Sequence, residues 1–453
     1  MLLKHVDRDR HRRQQFKGTA TRGPSVINAI EIGVFIAGVV LGPMINYAVY
    51  AWAYFPRAIS PWQCRDPKHA PLSRIAYLPA LGWFYRLRES ATWGRYFWVR
   101  PALIEVLTPI LLLCLYRAMM EGQTIPVSIR VPAAGISAGG GGVTSWELHI
   151  QFLSYSVMFA LLTVASFIDI DERTIPDMIT VPGTCLGLIA CAMLPGWCLW
   201  EVPLSTMILS PKTLEPLHAN SPFAWNAAWG QRGIEGYGLW IGSLIWCLWC
   251  LSLGNLRWIN RRGIRKAFVY AWVGFMRSPN LRIIFGMAIV GSLLIGAAYL
   301  GLSEARWRQL FSSLMGIGLG GTLVWSFRIV AGGVMRQEAL GFGDVTLMAM
   351  VGAHFGWQIV LLAFFLGPVL GLVLIALYWT ITKDSAIPLG PFLAAATTYL
   401  MLDWARVWET VSEVFLPLDL YLIFLAGLLV LLGVLLWLVG SVKAMLLGGG
   451  DQS

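Results

Sequence analysis

Two acidic side chains, Asp169 and Asp344, sit where apolar segments meet polar ones, and their surroundings suggest shared chemistry. In "ASFIDIDERTIPDMITVPG" (Ala165 to Gly183), Asp169 closes an apolar run, and Asp171, Glu172 and Arg173 crowd its mouth. In "EALGFGDVTLMAMVGAHFGW" (Glu338 to Trp357), Asp344 opens such a run behind Gly341 and Gly343. Each aspartate alone reads as the polar cap of a helix end. An ionisable group inside a membrane span costs about 2.5–3.5 kcal/mol even on the lenient insertion scale, so it usually has a function. Two carboxylates on one face of a bundle can hold one proton between them and titrate as a pair. The ionised member would draw a proton from water while the protonated member donates to the carbonyl under attack. That is peptide hydrolysis without a metal or a nucleophilic side chain.

Local sequence supplies the elements that would position the pair. Pro176 has no amide hydrogen to donate, so the helix carrying Asp169 should stop or restart around "TIPD". Gly341 and Gly343 let backbone or substrate come close to Asp344. The apolar segment after Asp344 predicts a half-length helix whose N-terminal amides favour an anion.

The rest of the chain must hold these segments in a bilayer. Hydrophobic residues make up 57% of the 453 and charged residues only 13%, against about 25% charged in soluble domains. The mean hydropathy is +0.65. Several apolar runs are long enough to span, which predicts an all-α, polytopic transmembrane helix bundle of about 10 spans. No secretory signal peptide is expected, because the first apolar run is of spanning length and lacks a clear cleavage site. The net charge of +10 does not indicate nucleic acid, because the basic residues lie in loops between apolar runs. The stretch 256–282 holds seven Lys or Arg and no acid, and 54–100 holds eight against Asp66 and Glu89. Both should face the cytoplasm. Loops 120–148, 200–235 and the acidic 403–419 should face outside. Four crossings between Asp169 and Asp344 then bring both to one surface. The basic tail, residues 1–25, conflicts with this threading, since a single span ahead of an inside loop leaves it outside.

The seven cysteines fall at 64, 114, 185, 191, 198, 247 and 250. Cys247 and Cys250 in "CLWC" read as small apolar residues of a spanning helix rather than a redox or metal pair. His354 reads as a packed histidine, and the tryptophans as interfacial belts. "AAGISAGGGG" (133–142) reads as a flexible loop.

With these residues in view, the chain resembles the type IV prepilin peptidases, the bacterial branch of the GxGD membrane aspartic proteases. Asp169 followed by Ile175-Pro176-Asp177 is similar to the family's first motif. Glu338-Ala339-Leu340-Gly341-Phe342-Gly343-Asp344, with Gly352-Ala353 and Gly356-Trp357 behind it, is similar to the second, and "IPLGPFLA" (Ile387 to Ala394) to a later segment. "GPMINYAVY" (42–50) and "IEVLTPILL" (104–112) match the family's opening more loosely, with Asn46 and Glu105 in the Asn and Glu places. The resemblance implies a catalytic pair of Asp169 and Asp344, supported by Gly341, Gly343, Pro176, Asp177 and Glu338. Asp171 and Asp177 are the alternatives for the first position. It also implies prepilin or pseudopilin-like membrane substrates, cut at the cytoplasmic face of a bacterial inner membrane, with no nucleic-acid partner. Proteolysis needs no cofactor. Asn46 and Glu105 would be methyltransferase remnants, and S-adenosylmethionine the donor if methyl transfer is retained.

Three departures qualify the likeness. Many members carry two Cys-x-x-Cys pairs in the first cytoplasmic loop, where only Cys64 remains here, so no zinc is expected. Thr346 replaces a common lysine two residues after the second aspartate, removing a counter-charge. An insert separates the motifs by 175 positions. The resulting division is a basic tail (1–27), a degenerate methyltransferase-like region (28–147), the first segment of the protease core (148–199), an insert with two extra spans (200–313), the second segment of the protease core (314–402) and a last span with its tail (403–453). Three other readings compete: a catalytically degenerate scaffold in pilus or type II secretion assembly, a proton-coupled transporter, and a presenilin-like protease. The third would need a late Pro-Ala-Leu, whereas Pro79-Ala80-Leu81 and Pro101-Ala102-Leu103 come early.

Overall fold

The computed structural model describes residues 28–63, 72–122, 124, 145–201, 215–222, 236–254, 264–277, 280–335, 341–382 and 388–415, with isolated positions 426 and 430. The basic tail, Cys64, the glycine-rich 133–142, Glu338 and nearly all of the last apolar run therefore lie outside the described residues. What is described is an all-α polytopic bundle. Its principal helices are α1 (Ala29–Ala51), α2 (Val99–Met120), α3 (Ser145–Glu172), α4 (Asp177–Met193), α5 (Gly238–Ser252), α6 (Ile264–Met276), α7 (Leu281–Gly301), α8 (Glu304–Met335), α9 (Phe342–Phe355), α10 (Trp357–Thr382) and α11 (Gly390–Val411). Five of these are long and apolar enough to cross a bilayer: α1, α2, the α3 segment from Trp146, α7 and the α8 segment to Ala331. α4, α5, α9 and residues 357–371 of α10 are shorter apolar helices.

Helix directions follow from which residues touch. Gly183 of α4 faces Met350 of α9, and Gly187 faces His354, so the two helices run parallel. Gly316 and Gly320 of α8 face Gly352 and Met348, so α8 is antiparallel to α9. Without side chains at these glycines the backbones approach closely, which favours packing where lipid supplies no hydrophobic drive. Tyr155, well before the end of α3, meets Phe355 at the far end of α9 with ring centroids 5.8 Å apart. The C-terminus of α3 and the N-termini of α4 and α9 consequently lie at one end of the bundle.

α9 has 14 residues, about 21 Å of helix, less than the roughly 30 Å hydrocarbon core. It stops at Gly356, whose φ of 86° is left-handed and suits glycine, and α10 starts at Trp357. The opposite end of the bundle carries a small cap. β1 (Trp200–Glu201) pairs antiparallel with β2 (Glu215–Pro216). Indole donors fasten it: Trp357 Nε1 to the Ala219 carbonyl (2.7 Å) and Trp404 Nε1 to the Trp200 carbonyl (3.0 Å).

α1 crosses once. Its C-terminal side reaches the aspartate end, where Tyr54 and Phe55 meet Glu172, and Glu31 near its start pairs with Arg117 late in α2. The described chain thus begins at the end away from the aspartates, so the conflict posed by the basic tail stays as the sequence left it. Within the stretch 256–282, read only as a basic loop, the structure places a helix, α6.

Candidate active site

Asp169 lies on the last turn of α3. The helix ends when Arg173 takes a left-handed φ of 56° and its N–H bonds the Asp169 carbonyl at 2.8 Å. Ile175 follows, and extended Pro176 is the N-cap of α4, so the chain restarts as its proline requires. Asp344 occupies the first turn of α9, whose N-cap is Gly341, so its carboxylate lies in the field of the Gly341 N–H. This is the position from which the acid of a capping box reaches back. Asp169 meets a helix-terminal amide directly: Gly390, first residue of α11, donates its N–H to Oδ2 at 3.1 Å. Each carboxylate thus sits at a helix N-terminus, where the dipole favours negative charge.

The two carboxylates are within electrostatic reach of each other and only 5% and 7% exposed. Ile175 packs between their supports. A Cβ added at Gly343 would lie 2.8–3.0 Å from Ile175 Cβ, N and O, and one at Gly390 would lie 3.0 Å from Ile175 Cδ1. A side chain at Gly343 would force the α3–α4 connection away from α9, so glycine there permits the close approach of backbone expected from its missing side chain. Gly341 has room, its nearest neighbour being Asp344 Oδ2 at 3.8 Å.

The alternative acids of the first motif occupy different surroundings. Asp171 faces solvent and is held by two arginines: Arg100 donates Nη1 and Nη2 to Oδ1 and Oδ2 at 2.7 and 2.8 Å, and Arg57 pairs with Oδ2. Glu172 accepts the Tyr54 and Phe55 N–H groups at 2.9 and 3.0 Å. Asp177 is exposed at the start of α4. Thr346, in the lysine place, is buried and donates to the Gly343 carbonyl at 3.1 Å. A cation comes from elsewhere, since Arg328 of α8 acts electrostatically on Asp344.

Asn46 and Glu105 meet in a separate cluster. Asn46 Nδ2 donates to Glu105 Oε1 (2.8 Å) and to the Pro101 carbonyl (3.0 Å), and the Ala80 N–H donates to Glu105 Oε2 (2.7 Å). Ala80 holds a left-handed φ of 58°, so Glu105 restrains a strained turn. Both Glu105 oxygens have internal partners, and the buried Asn46 Oδ1 has none among the described residues. His354 is fully buried at the other end of α9. It accepts from Trp197 Nε1 at Nδ1 (3.2 Å), so its Nε2 donates to the Gly183 carbonyl (3.0 Å), which is the neutral tautomer of a packed histidine. Cys247 contacts Ser292 (3.4 Å), and Cys250 is buried among the side chains of α5, α7 and α8.

Sequence reasoning missed four residues, Gly390, Arg328, Arg57 and Arg100. Gly390 lay inside a quoted motif without a role, and its position at a helix start was the available signal. Arg328 carried no signal, because it lies in another helix. The grip of Asp171 by Arg57 and Arg100 joins residues more than 70 positions apart.

Fold and site define a polytopic, all-α membrane protein with paired buried aspartates at one end of its bundle. The chain matches the Type IV leader peptidase family model over residues 156–210 and 276–376, segments that contain Asp169 and Asp344. It is 35% identical over 118 residues to the prepilin leader peptidase/N-methyltransferase of Pseudomonas aeruginosa, covering 25% of this chain and 39% of that protein. The protein of the same description from Stutzerimonas stutzeri is 36% identical over 115 residues, covering 23% and 38%. That from Burkholderia pseudomallei is 32% identical over 118 residues, covering 23% and 36%. The alignment thus spans about two fifths of these relatives' length or less. No solved structure matches the chain. Over those segments the type IV prepilin peptidases are the family this protein resembles.

Proposed function

We propose that this protein is a membrane aspartic endopeptidase that removes the basic leader from prepilin or pseudopilin-like precursors. In this reading Asp169 and Asp344 are the catalytic pair. One ionised aspartate takes a proton from water as the water oxygen attacks the scissile carbonyl. The protonated partner donates to the carbonyl oxygen, and collapse of the tetrahedral intermediate releases the leader and protonates the new amine. The observation that carries this reading is the convergence of two buried carboxylates, each beside a helix-terminal amide, around Ile175.

The site faces the cytoplasm of a bacterial inner membrane in this proposal, because the arginines of the 54–100 segment, Arg57 and Arg100 among them, lie at the aspartate end. Those basic groups would not attract a basic leader, so the substrate is held chiefly by its apolar helix, docked between spans. Methyl transfer is a separate matter. Glu105 is engaged by Asn46 and Ala80, which supports a restraining role in the loop, and Asn46 Oδ1, without a partner among the described residues, is a polar atom open to a ligand such as S-adenosylmethionine.

The test is processing of a prepilin-like precursor in membranes by wild type, Asp169→Asn and Asp344→Asn. Loss of cleavage in both, with normal folding, supports the assignment. Normal processing by either removes that residue from the catalytic role.

A further inference from the structure

The cap opposite the aspartates brings two cysteines into contact. Cys191 lies two residues before the end of α4, and Cys198 follows the turn Leu194–Trp197. Their Sγ atoms are 3.3 Å apart, and both residues are buried, at 0% and 4% exposure. Gly196 takes a left-handed φ of 84° and packs against the backbone of Glu147, which fixes the path of the turn. Trp197 is anchored on His354, and Cys191 Sγ also approaches the Ala353 carbonyl at 3.5 Å. The sulfurs are held face to face by packing on both sides, and closing to a bond length of about 2.05 Å needs only a small movement of each.

We infer that Cys191 and Cys198 form a disulfide in the mature protein, a covalent staple between the end of α4 and the turn that seats Trp197 on His354. Its compartment rests on the orientation proposed above, which puts this end in the periplasm, where disulfides persist. Two thiols lose two protons and two electrons, accepted by the disulfide of a thiol–disulfide exchange protein, which leaves as a dithiol. The thiolate of one cysteine attacks that disulfide, forming a mixed disulfide and expelling one carrier thiolate. The second thiolate then displaces the carrier. Contact with Cys191, then burial, holds the Cys198 thiol well above its usual range once the turn is packed. Exchange therefore belongs to folding, before Trp197 seats.

The test counts thiols. Cells expressing the full chain are lysed in a small maleimide, and the denatured protein is then treated with a mass-tagged maleimide with or without prior reduction. Wild type should gain two tags after reduction, while Cys191→Ser and Cys198→Ser should gain none. Absence of the gain in wild type, or its persistence in either variant, overturns the staple. Precursor cleavage measured on the same membranes separates the two readings. Cleavage without reducible thiols overturns the staple alone, and reducible thiols in a protein that cannot cleave support the staple while overturning the peptidase assignment.

Discussion

Replacing Gly390 with alanine places one methyl group against the Asp169 carboxylate. The added Cβ would stand 3.2 Å from Asp169 Cγ and 3.0 Å from Ile175 Cδ1, and closer still to Oδ2. Carbon atoms prefer about 3.5–4.0 Å, so relief requires the carboxylate to swing by about 1 Å or the start of α11 to withdraw. Either movement stretches the 3.1 Å bond from the Gly390 N–H to Oδ2. A displacement of this size at a reacting group lowers rate by about 100-fold, or about 2.7 kcal/mol in the barrier. Stability should fall only modestly, by about 1–2 kcal/mol for the strained buried hydrogen bond, because the closest atom met is the end of a side chain and Gly390 lies within a helix that alanine accepts. The assay is the initial rate of leader removal from a prepilin-like precursor in membranes, with the thermal midpoint measured in parallel. Cleavage by Gly390→Ala within about three-fold of wild type at saturating substrate would refute the claim that this amide positions Asp169.

Other perturbations separate neighbouring roles. Gly343→Ala should abolish cleavage and lower the thermal midpoint, because its methyl group meets the backbone of Ile175; Gly341→Ala, with its nearest neighbour 3.8 Å away, should retain most activity. Equal loss in the two would contradict this geometry. Asp171→Asn should weaken the grip of Arg57 and Arg100, lowering stability by about 1–2 kcal/mol and slowing cleavage without abolishing it; complete loss would instead point to Asp171 as a reacting group. His354→Ala leaves Trp197 Nε1 and the Gly183 carbonyl unpaired and should cost about 3 kcal/mol in denaturant titration, whereas an unchanged midpoint would deny the bridge. In the cap, burial pushes the Glu201 carboxyl up to about 8, against hydrogen bonds from Ser221 and Trp408 and with Glu215 nearby. Burial, with Arg308 nearby, holds His218 down to about 4. From pH 4.5 to 6.5 the two effects oppose, since the folded state retains a proton on Glu201 and refuses one on His218. Between pH 6.5 and 8 only Glu201 of these two remains, so its contribution to stability should fall as pH rises, by at most about 2 kcal/mol. Glu201→Gln should flatten that fall, and an unaltered pH profile would show that the carboxyl is already ionised.

Much of the bundle was readable because membrane helices obey local rules. Apolar runs of spanning length announce spans, Pro176 announces a restart, and Asp344 at the head of an apolar run announces a helix entrance. Shorter elements were harder to read. Helix α6 lies in a stretch whose charges dominated its apolar periodicity, and the cap strands are two residues each, too short to carry an alternating pattern. The partners of Asp169 were hidden for a different reason. Gly390 is 221 positions away along the chain, and a glycine amide offers no side chain from which to infer a bond.

The sequence by itself determined that this is a polytopic helical membrane protein, which segments carry charge at their ends, and the crossing parity that allows Asp169 and Asp344 to share a surface. Those properties depend on hydrophobicity and helix-end preference, each encoded within a few turns of chain. Only the tertiary structure decided that Asp169 is the buried acid while Asp171 is gripped by arginines, that Arg328 stands near Asp344, and that Cys191 meets Cys198. Those outcomes depend on how helices and turns settle against one another, which the order of residues along the chain does not reveal, whether the partners are seven positions apart or more than two hundred.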